Sequence, residues 1–223
     1  MLHPRSGLGA CALGLALLAA APGARAEGDG PSFDCARAES SAEKLICADP
    51  AQAALDREVA RLYRLAVEGP HMDAERLATL KPAQRGWIKG RDDCWKADDL
   101  ATCLRAEQAI RIHALRQGYA DARLQDPAGI STGPFVAACP GLDALVGLTF
   151  IDAGPGLAVL DWAEATVVLP QGRSASGARY AAEAGEAAPW LGAGEILFWV
   201  KGDEARFELP GREAMICGIE EPG

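Results

Sequence analysis

The chain has 223 residues, of which 49% are hydrophobic and 24% charged, and its net charge at pH 7 is −9. This length fits one or two domains. The acidic balance argues against nucleic acid and anionic lipid as partners and fits a cationic partner attracted over a distance. The simpler interpretation of the charge alone is that it aids solubility.

The first 26 residues predict a secretory signal peptide. Arg5 supplies a positive charge, an apolar stretch runs from Leu8 to Ala21, and Ala24-Arg25-Ala26 forms a small-x-small cleavage site. The apolar stretch is too short for a lasting membrane span. Leu8-Gly9-Ala10-Cys11 is similar to a lipoprotein cleavage box, but the apolar segment follows Cys11 instead of preceding it. We therefore expect a periplasmic protein without a lipid anchor.

Six cysteines remain once Cys11 leaves with the leader. An even number of cysteines in an exported chain predicts disulfide bonds, so we expect three. Zinc is disfavoured because the sequence has no C-x2-C pair and the mature chain keeps only two histidines, so we expect no metal and no cofactor. The six residues are Cys35, Cys47, Cys94, Cys103, Cys139 and Cys217.

Residues 33–119 predict a helical domain. Ser40 and Glu43 have the spacing of a capping box at the start of a short helix. Asp49-Pro50 predicts the start of a second helix, whose apolar residues recur at helical spacing until Gly69.

Two further helices are predicted. One is opened by Pro82 and carries Trp87, Ile88 and Cys94, and the other is capped by Asp98 or Asp99 and ends at Gly118. The core of so small a domain is barely sufficient, and two disulfides would add about 2–4 kcal/mol each. The sequence does not determine their pairing. A continuous helix would separate Cys94 and Cys103 by about 13 Å at ~1.5 Å per residue. If these two are partners, the chain must turn at Asp98-Asp99.

Residues 120–134 mix Pro, Gly, Ser and Asp and predict a linker. Residues 135–219 then contain short apolar runs separated by turn sequences, which predicts an antiparallel sheet that curls into a barrel or a sandwich. A bridge between Cys139 and Cys217 would join the first strand to the last. The fold class is therefore α+β. The runs are 135–138, 145–151, 157–162, 165–169, 195–200, 205–209 and 214–217.

No sequence motif indicates catalysis. The chain lacks a G-x-S-x-G elbow, an H-E-x-x-H pair, a phosphate-binding loop and a C-x-x-C redox pair. A pair of carboxylates of the glycosidase type stays open, because acidic residues are abundant and none is singled out. Binding is the favoured class of function.

Two stretches of the β domain stand out. Residues 174–180, SASGARY, form a loop of small residues that ends in a cation and an aromatic. Residues 198–205, FWVKGDEA, form an aromatic strand that continues into a Lys-Gly turn. The simpler interpretation is that Ser-Gly and Lys-Gly are only turn-forming pairs. The cations near these loops are Arg173, Arg179 and Lys201.

Through these two stretches, and through single cysteines near each end, residues 135–217 resemble the MliC family of inhibitors of c-type lysozyme. The resemblance implies a small antiparallel β-barrel whose two loops enter the lysozyme active-site cleft. It implies that Ser176 and Lys201 reach the catalytic carboxylates of the enzyme and that Tyr180 supports the first loop. The segment 181–197 is longer than that family usually has. The implied lysozyme-binding residues are Ser176, Gly177, Arg179, Tyr180, Lys201 and Gly202.

The first half resembles the N-terminal domain of LprI-type lysozyme inhibitors, through Phe33-Asp34-Cys35, Glu43-x-x-Ile46-Cys47, Leu55-Asp56, Trp87-x3-Arg91-x2-Cys94 and Cys103-Leu104. Whether it contacts lysozyme, or only stabilises or targets the protein, stays open. The two resemblances together predict a proteinaceous inhibitor of c-type lysozyme that is not an enzyme. The alternatives are a periplasmic module that binds glycan or another envelope protein through the same loops, and a hydrolase with unrecognised carboxylates.

Overall fold

The computed structural model describes residues 30–163 and 165–220. The predicted signal peptide and the lipoprotein-like sequence lie outside the described residues. Within these ranges a helical region precedes an antiparallel β-barrel, which confirms the α+β class. The helices are α1 (Ser41–Ala48), α2 (Pro50–Glu68), α3 (Ala74–Asp92), α4 (Leu100–Gly118) and α5 (Ala184–Ala187). The strands are β1 (Ser131–Ala138), β2 (Val146–Ile151), β3 (Leu157–Trp162), β4 (Ala165–Gly172), β5 (Ala178–Glu183), β6 (Glu195–Lys201), β7 (Glu204–Glu208) and β8 (Met215–Glu220).

The predicted helix starts at the capping sequences are confirmed. Ser40 Oγ accepts a hydrogen bond from the Glu43 backbone N–H at 3.1 Å, and the Glu43 carboxylate accepts one from the Ser40 N–H at 3.0 Å. The carboxylates of Asp49 and Asp99 cap α2 and α4 in the same way. These side chains satisfy backbone donors that a helix start leaves without partners.

The prediction that Pro82 opens a helix was wrong. α3 begins at Ala74, where the Asp73 carboxylate accepts the Arg76 N–H at 2.8 Å. Pro82 lies inside this helix on an exposed face, where it removes one backbone donor. Cys94, predicted on the same helix, lies in the 3-10 turn that follows it.

The three expected disulfides form, and the structure determines the pairing. The turn between α3 and α4 brings the Cα atoms of Cys94 and Cys103 to 5.7 Å, as their pairing required. Cys35 pairs with Cys47, and Cys139 pairs with Cys217 across 78 residues, which joins β1 to β8.

The barrel closes because β1 pairs with β8 as well as with β2, and each strand is hydrogen-bonded to its neighbours in sequence. β5 was not among the predicted apolar runs, because its outward positions carry Arg179, Ala181 and Glu183. β1 begins at Ser131, inside the segment predicted as a linker, because Ser131 and Thr132 already pair with β2.

The helical layer packs on the outer wall of the barrel. Ala158 and Leu160 of β3 point into the barrel, whereas Leu157 and Val159 point outward into the core shared with the helices. Both faces of this strand are therefore buried, which explains its continuous apolar sequence. α4 contacts β1 to β4.

Candidate functional site

The two sequence stretches meet at one end of the barrel. β4 and β6 run in the same direction, because neighbouring strands are antiparallel. The connections that follow them, residues 173–177 and residues 202–203, therefore emerge on the same side. We call this end the loop rim. The structure thus brings Ser176 and Gly177 beside Lys201 and Gly202.

The Ser-Gly loop is fastened to the neighbouring strand. The indole Nε1–H of Trp199 donates to the carbonyl oxygen of Ser176 at 2.9 Å. Gly177 has a φ of 67°, and a Cβ atom at this position would overlap the carbonyl oxygen of Val200. Glycine is required here by both conformation and space. The loop therefore lies close against β6 while the Ser176 side chain stays exposed.

Lys201 is the last residue of β6 and pairs with Glu204 across a two-residue turn. Gly202 opens this turn with a φ of 70°, the position at which type II′ hairpins favour glycine. The Asp203 carbonyl oxygen accepts the Ile219 N–H at 2.7 Å, which ties the turn to β8. Within the described residues the exposed Lys201 ammonium has no ion-pair partner.

Tyr180 lies beneath the loop rim rather than on it. Its side chain is inside the barrel, is 7% exposed and has its ring centroid 5.5 Å from that of Phe150. Burial, and next the charge of Asp152, raise the pKa of Tyr180, so its phenol is neutral at ordinary pH.

The two arginines near the loops differ in their surroundings. Arg173 is exposed within the loop itself. Arg179 points outward from β5, and its Nη2 lies 2.6 Å from the carboxylate of Glu195 at the start of β6. Because β6 starts at the far end of the barrel, this pair directs the guanidinium away from the loop rim. The structure does not bring the Arg179 charge together with Ser176 and Lys201.

The long segment 181–197 folds at the end of the barrel opposite the loop rim. After β5 it forms α5 and the 3-10 turn of Pro189–Leu191, then enters β6. Ala184 and Ala188 are buried against the barrel core, whereas Trp190 is exposed. The long segment therefore lies at the barrel end away from the two loops.

Two cationic and several acidic side chains are exposed on the loop rim. Arg173 and Lys201 are exposed there, and so are the acidic residues at the ends of β2 and β8 and around the Lys-Gly turn. A cationic tip is thus surrounded by negative charge. The acids are Asp152, Asp203, Glu204 and Glu220.

Trp199 is a site residue that sequence reasoning missed. Within the FWVK sequence the strand alternation points Phe198 into the barrel and Trp199 outward. Only the pairing of β5 with β6 places its indole under the Ser-Gly loop. The sequence did offer one signal for Trp199, namely a tryptophan at an outward strand position close to a turn sequence.

The described residues contain no cluster of His, Cys, Asp or Glu of three or more members that could hold a metal ion. In the same part of the chain no helix has both the length and the apolar character needed to cross a membrane.

Two segments of the chain match known protein families. Residues 138–216 match the family described as membrane-bound lysozyme-inhibitor of c-type lysozyme, MliC, and residues 35–124 match the family described as lysozyme inhibitor LprI. Both resemblances are confirmed, in the predicted order. The chain is also similar to "Lipoprotein LprI" of Mycobacterium tuberculosis (strain H37Rv) and of Mycobacterium bovis. Each is 29% identical over 152 residues, which cover 68% of this chain and 71% of the relative. No solved structure matches the chain.

Proposed function

We propose that this chain, which carries an LprI segment followed by an MliC segment, inhibits a c-type lysozyme by inserting the Ser176-Gly177 loop and the Lys201-Gly202 turn into the active-site cleft. The observation that carries the proposal is the position of these loops, side by side on the loop rim. The names of the two matched families support lysozyme as the partner.

The chemistry follows from how lysozyme works. A lysozyme uses a glutamic acid with a raised pKa as proton donor and an aspartate that stays ionised. An ammonium group placed between them lowers both pKa values and removes the proton from the donor. Lys201 suits this role because it carries a compact charge on a long stem and has no carboxylate partner of its own in the described structure. The exposed Ser176 hydroxyl can donate a hydrogen bond to either carboxylate.

Charge also favours the encounter. Residues 131–223 hold 13 acidic and 5 basic residues, a net charge of −8. A strongly basic lysozyme is attracted to such a surface before contact, which raises the association rate at low salt. The acids around Lys201 would then face the basic surface beside the cleft.

A rate assay tests the proposal. The chain beginning at residue 27 is added to cell walls with a c-type lysozyme, and lysis is followed. We expect inhibition, and we expect Lys201→Ala to raise the inhibition constant at least ~30-fold, since loss of one partner of a buried charge pair costs about 2–5 kcal/mol. Ser176→Ala should raise it less, because it removes a hydrogen bond and no charge.

Arg212→Ala is the matched control, because Arg212 is an exposed cation at the opposite end of the barrel. It should leave inhibition unchanged. Lysis that proceeds unaffected by the wild-type chain would favour the module that binds glycan or an envelope protein. Digestion of the walls by the chain alone would favour a hydrolase.

We also propose export to the periplasm through the predicted signal peptide. The relatives named lipoproteins raise the question of an anchor at Cys11, whereas the order of the leader sequence predicts none. Mass measurement of the exported chain decides between them. A chain that begins at residue 27 supports cleavage after Ala26, and a lipid-modified cysteine at its start contradicts it.

A further inference from the structure

The third helix is exposed along nearly its whole length. Of the 19 residues of α3, only Leu80 and Arg91 are buried. α3 packs on α1 and α4, and α4 in turn packs on the barrel. α3 therefore lies on the outer side of the helical layer.

The surface of α3 is basic, although the chain as a whole is acidic. From Arg76 to Arg91 the sequence holds five basic residues and no acidic one, in a chain whose net charge is −9. Lys81, Arg85 and Lys89 follow one another at intervals of four, so they lie on one face and span about 12 Å at ~1.5 Å rise per residue. All three are exposed.

These three cations are not neutralised by the protein. None of them has an ion pair or hydrogen-bond partner within the described residues. The acids that follow Lys89 most closely in sequence are already engaged, since Asp92 pairs with Arg91 at 2.9 Å and Asp93 with Lys96 at 2.9 Å.

Apolar side chains accompany the cations. Ile88 lies between Arg85 and Lys89 on the helix and is 39% exposed. Trp95, in the turn after α3, is 63% exposed. Basic residues are attracted by the negative surface potential of an anionic bilayer, and tryptophan is favoured at the level of the headgroups. We call the surface formed by Lys81, Arg85, Ile88 and Lys89 the basic face of α3.

We propose that the basic face of α3 docks on the anionic phospholipid headgroups of a bilayer. The net charge of the whole chain argues against such a partner, but the structure separates the charges: the barrel segment holds the net −8, and this face holds only cations. A line of cations on a convex helix fits an extended anionic surface. Docking through α3 would leave the loop rim free, because α4 and the barrel lie behind it.

Vesicle co-sedimentation tests this inference. The chain beginning at residue 27 is mixed with phosphatidylcholine vesicles, with and without phosphatidylglycerol. We expect binding only to the vesicles that contain phosphatidylglycerol, and weaker binding as salt is raised. Each cation near such a surface contributes roughly fivefold to partitioning (~1 kcal/mol), so the triple variant Lys81→Gln, Arg85→Gln, Lys89→Gln should lose binding by more than ~10-fold.

The matched control carries Lys44→Gln, Arg64→Gln and Arg212→Gln, which remove the same charge from exposed positions outside α3. It should bind vesicles like the wild type, and both variants should inhibit lysozyme and show helical circular dichroism like the wild type. Equal loss of vesicle binding in the two triple variants would overturn the proposal. So would a wild-type chain that ignores phosphatidylglycerol, or one that binds heparin but not vesicles. Each of these results leaves the lysozyme assay untouched.

Discussion

The two halves of the molecule bury different chemistry. The interior of the barrel is filled by apolar side chains and the Cys139–Cys217 bridge. The helical half buries amides and charges beside its apolar residues. Of the ten buried polar residues in the described chain, eight lie on α2, α3 or α4, and the other two lie on barrel strands in contact with α2 or α4. These ten are Gln52, Asp56, Glu58, Arg61, Arg91, Gln108, His113, Arg116, Ser131 and Thr149.

The difference shows which half depends on the other. Arg116 of α4 is fully buried and donates from Nε to Ser131 Oγ at 2.7 Å and from Nη1 to the Gly133 carbonyl oxygen at 2.7 Å, both on β1. The Ser131 hydroxyl in turn donates to Glu58, which also accepts from Arg61 at 2.8 Å. The core inside the barrel contains only residues of the barrel half, whereas Glu58, His113 and Arg116 of the helices have partners on barrel strands. We call the buried contacts of Arg116, Glu58 and Ser131 the polar seam. It joins the two segments that match the two families into one packed body.

The largest expected effect comes from breaking the polar seam. Arg116→Ala leaves two carbonyl oxygens and the Glu58 carboxylate with fewer partners in a buried place. Removal of one member of a buried charged network costs about 3–5 kcal/mol of unfolding free energy. Urea unfolding followed by helical circular dichroism should show this loss.

Arg64→Ala, an exposed arginine on α2, is the control and should shift the unfolding free energy by less than ~0.5 kcal/mol. If Arg116→Ala unfolded at the same urea concentration as this control, the helices would not depend on the barrel.

A smaller effect is expected from pH at the same interface. His113 of α4 is buried, with Nδ1 2.9 Å from Thr149 Oγ1 and Nε2 3.8 Å from Asp161. Burial lowers the pKa of His113 below its ordinary value of 6.5, and Asp161 opposes this only in part. The unfolded chain therefore takes up a proton first as pH falls. Stability should be full above pH 6.5 and decrease from there down through the folded pKa.

His113→Gln should reduce the difference in unfolding free energy between pH 8 and pH 5, by less than the loss in Arg116→Ala. Thr149→Val is the matched variant: it removes the hydrogen bond but keeps the imidazole, so the pH dependence should remain. A pH dependence unchanged by His113→Gln would show that carboxylates alone produce it.

The smallest effect is expected in the barrel half, at the hydrogen bond that holds the Ser-Gly loop. Trp199→Phe removes the indole donor to Ser176, a single exposed hydrogen bond worth about 0.5–1.5 kcal/mol, or about two- to tenfold in inhibition. Global unfolding should not change, because the core of the barrel is untouched. Trp190→Phe, at the opposite end, should alter neither quantity. A Trp199→Phe variant with wild-type inhibition would mean that Gly177 alone positions the loop.

Much of the fold was predictable because its signals are local. Three helix starts are marked by side chains that accept hydrogen bonds from backbone N–H groups two or three residues away, so the pattern identifies them without a structure. These side chains belong to Ser40, Asp49 and Asp99. Pro82 misled although the true start signal was also local: the Asp73 cap, nine residues upstream, had already started α3. β5 was missed because its inward residues are mostly alanine and its outward positions carry charges, and its pairing with β4 and β6 makes it a strand.

The candidate site divides in the same way. The sequence by itself determined the SASGARY and FWVKGDEA stretches and the two glycine turns, which depend on neighbouring residues. It also determined the number of disulfides, which follows from the count of cysteines. Only the tertiary structure decided the closure of β1 on β8, the direction of the Arg179 charge and the place of Trp199 under Ser176. It also decided the burial of Arg116 against β1. Each of these depends on contacts between residues distant in the chain, which strand registry and packing fix and local patterns do not encode.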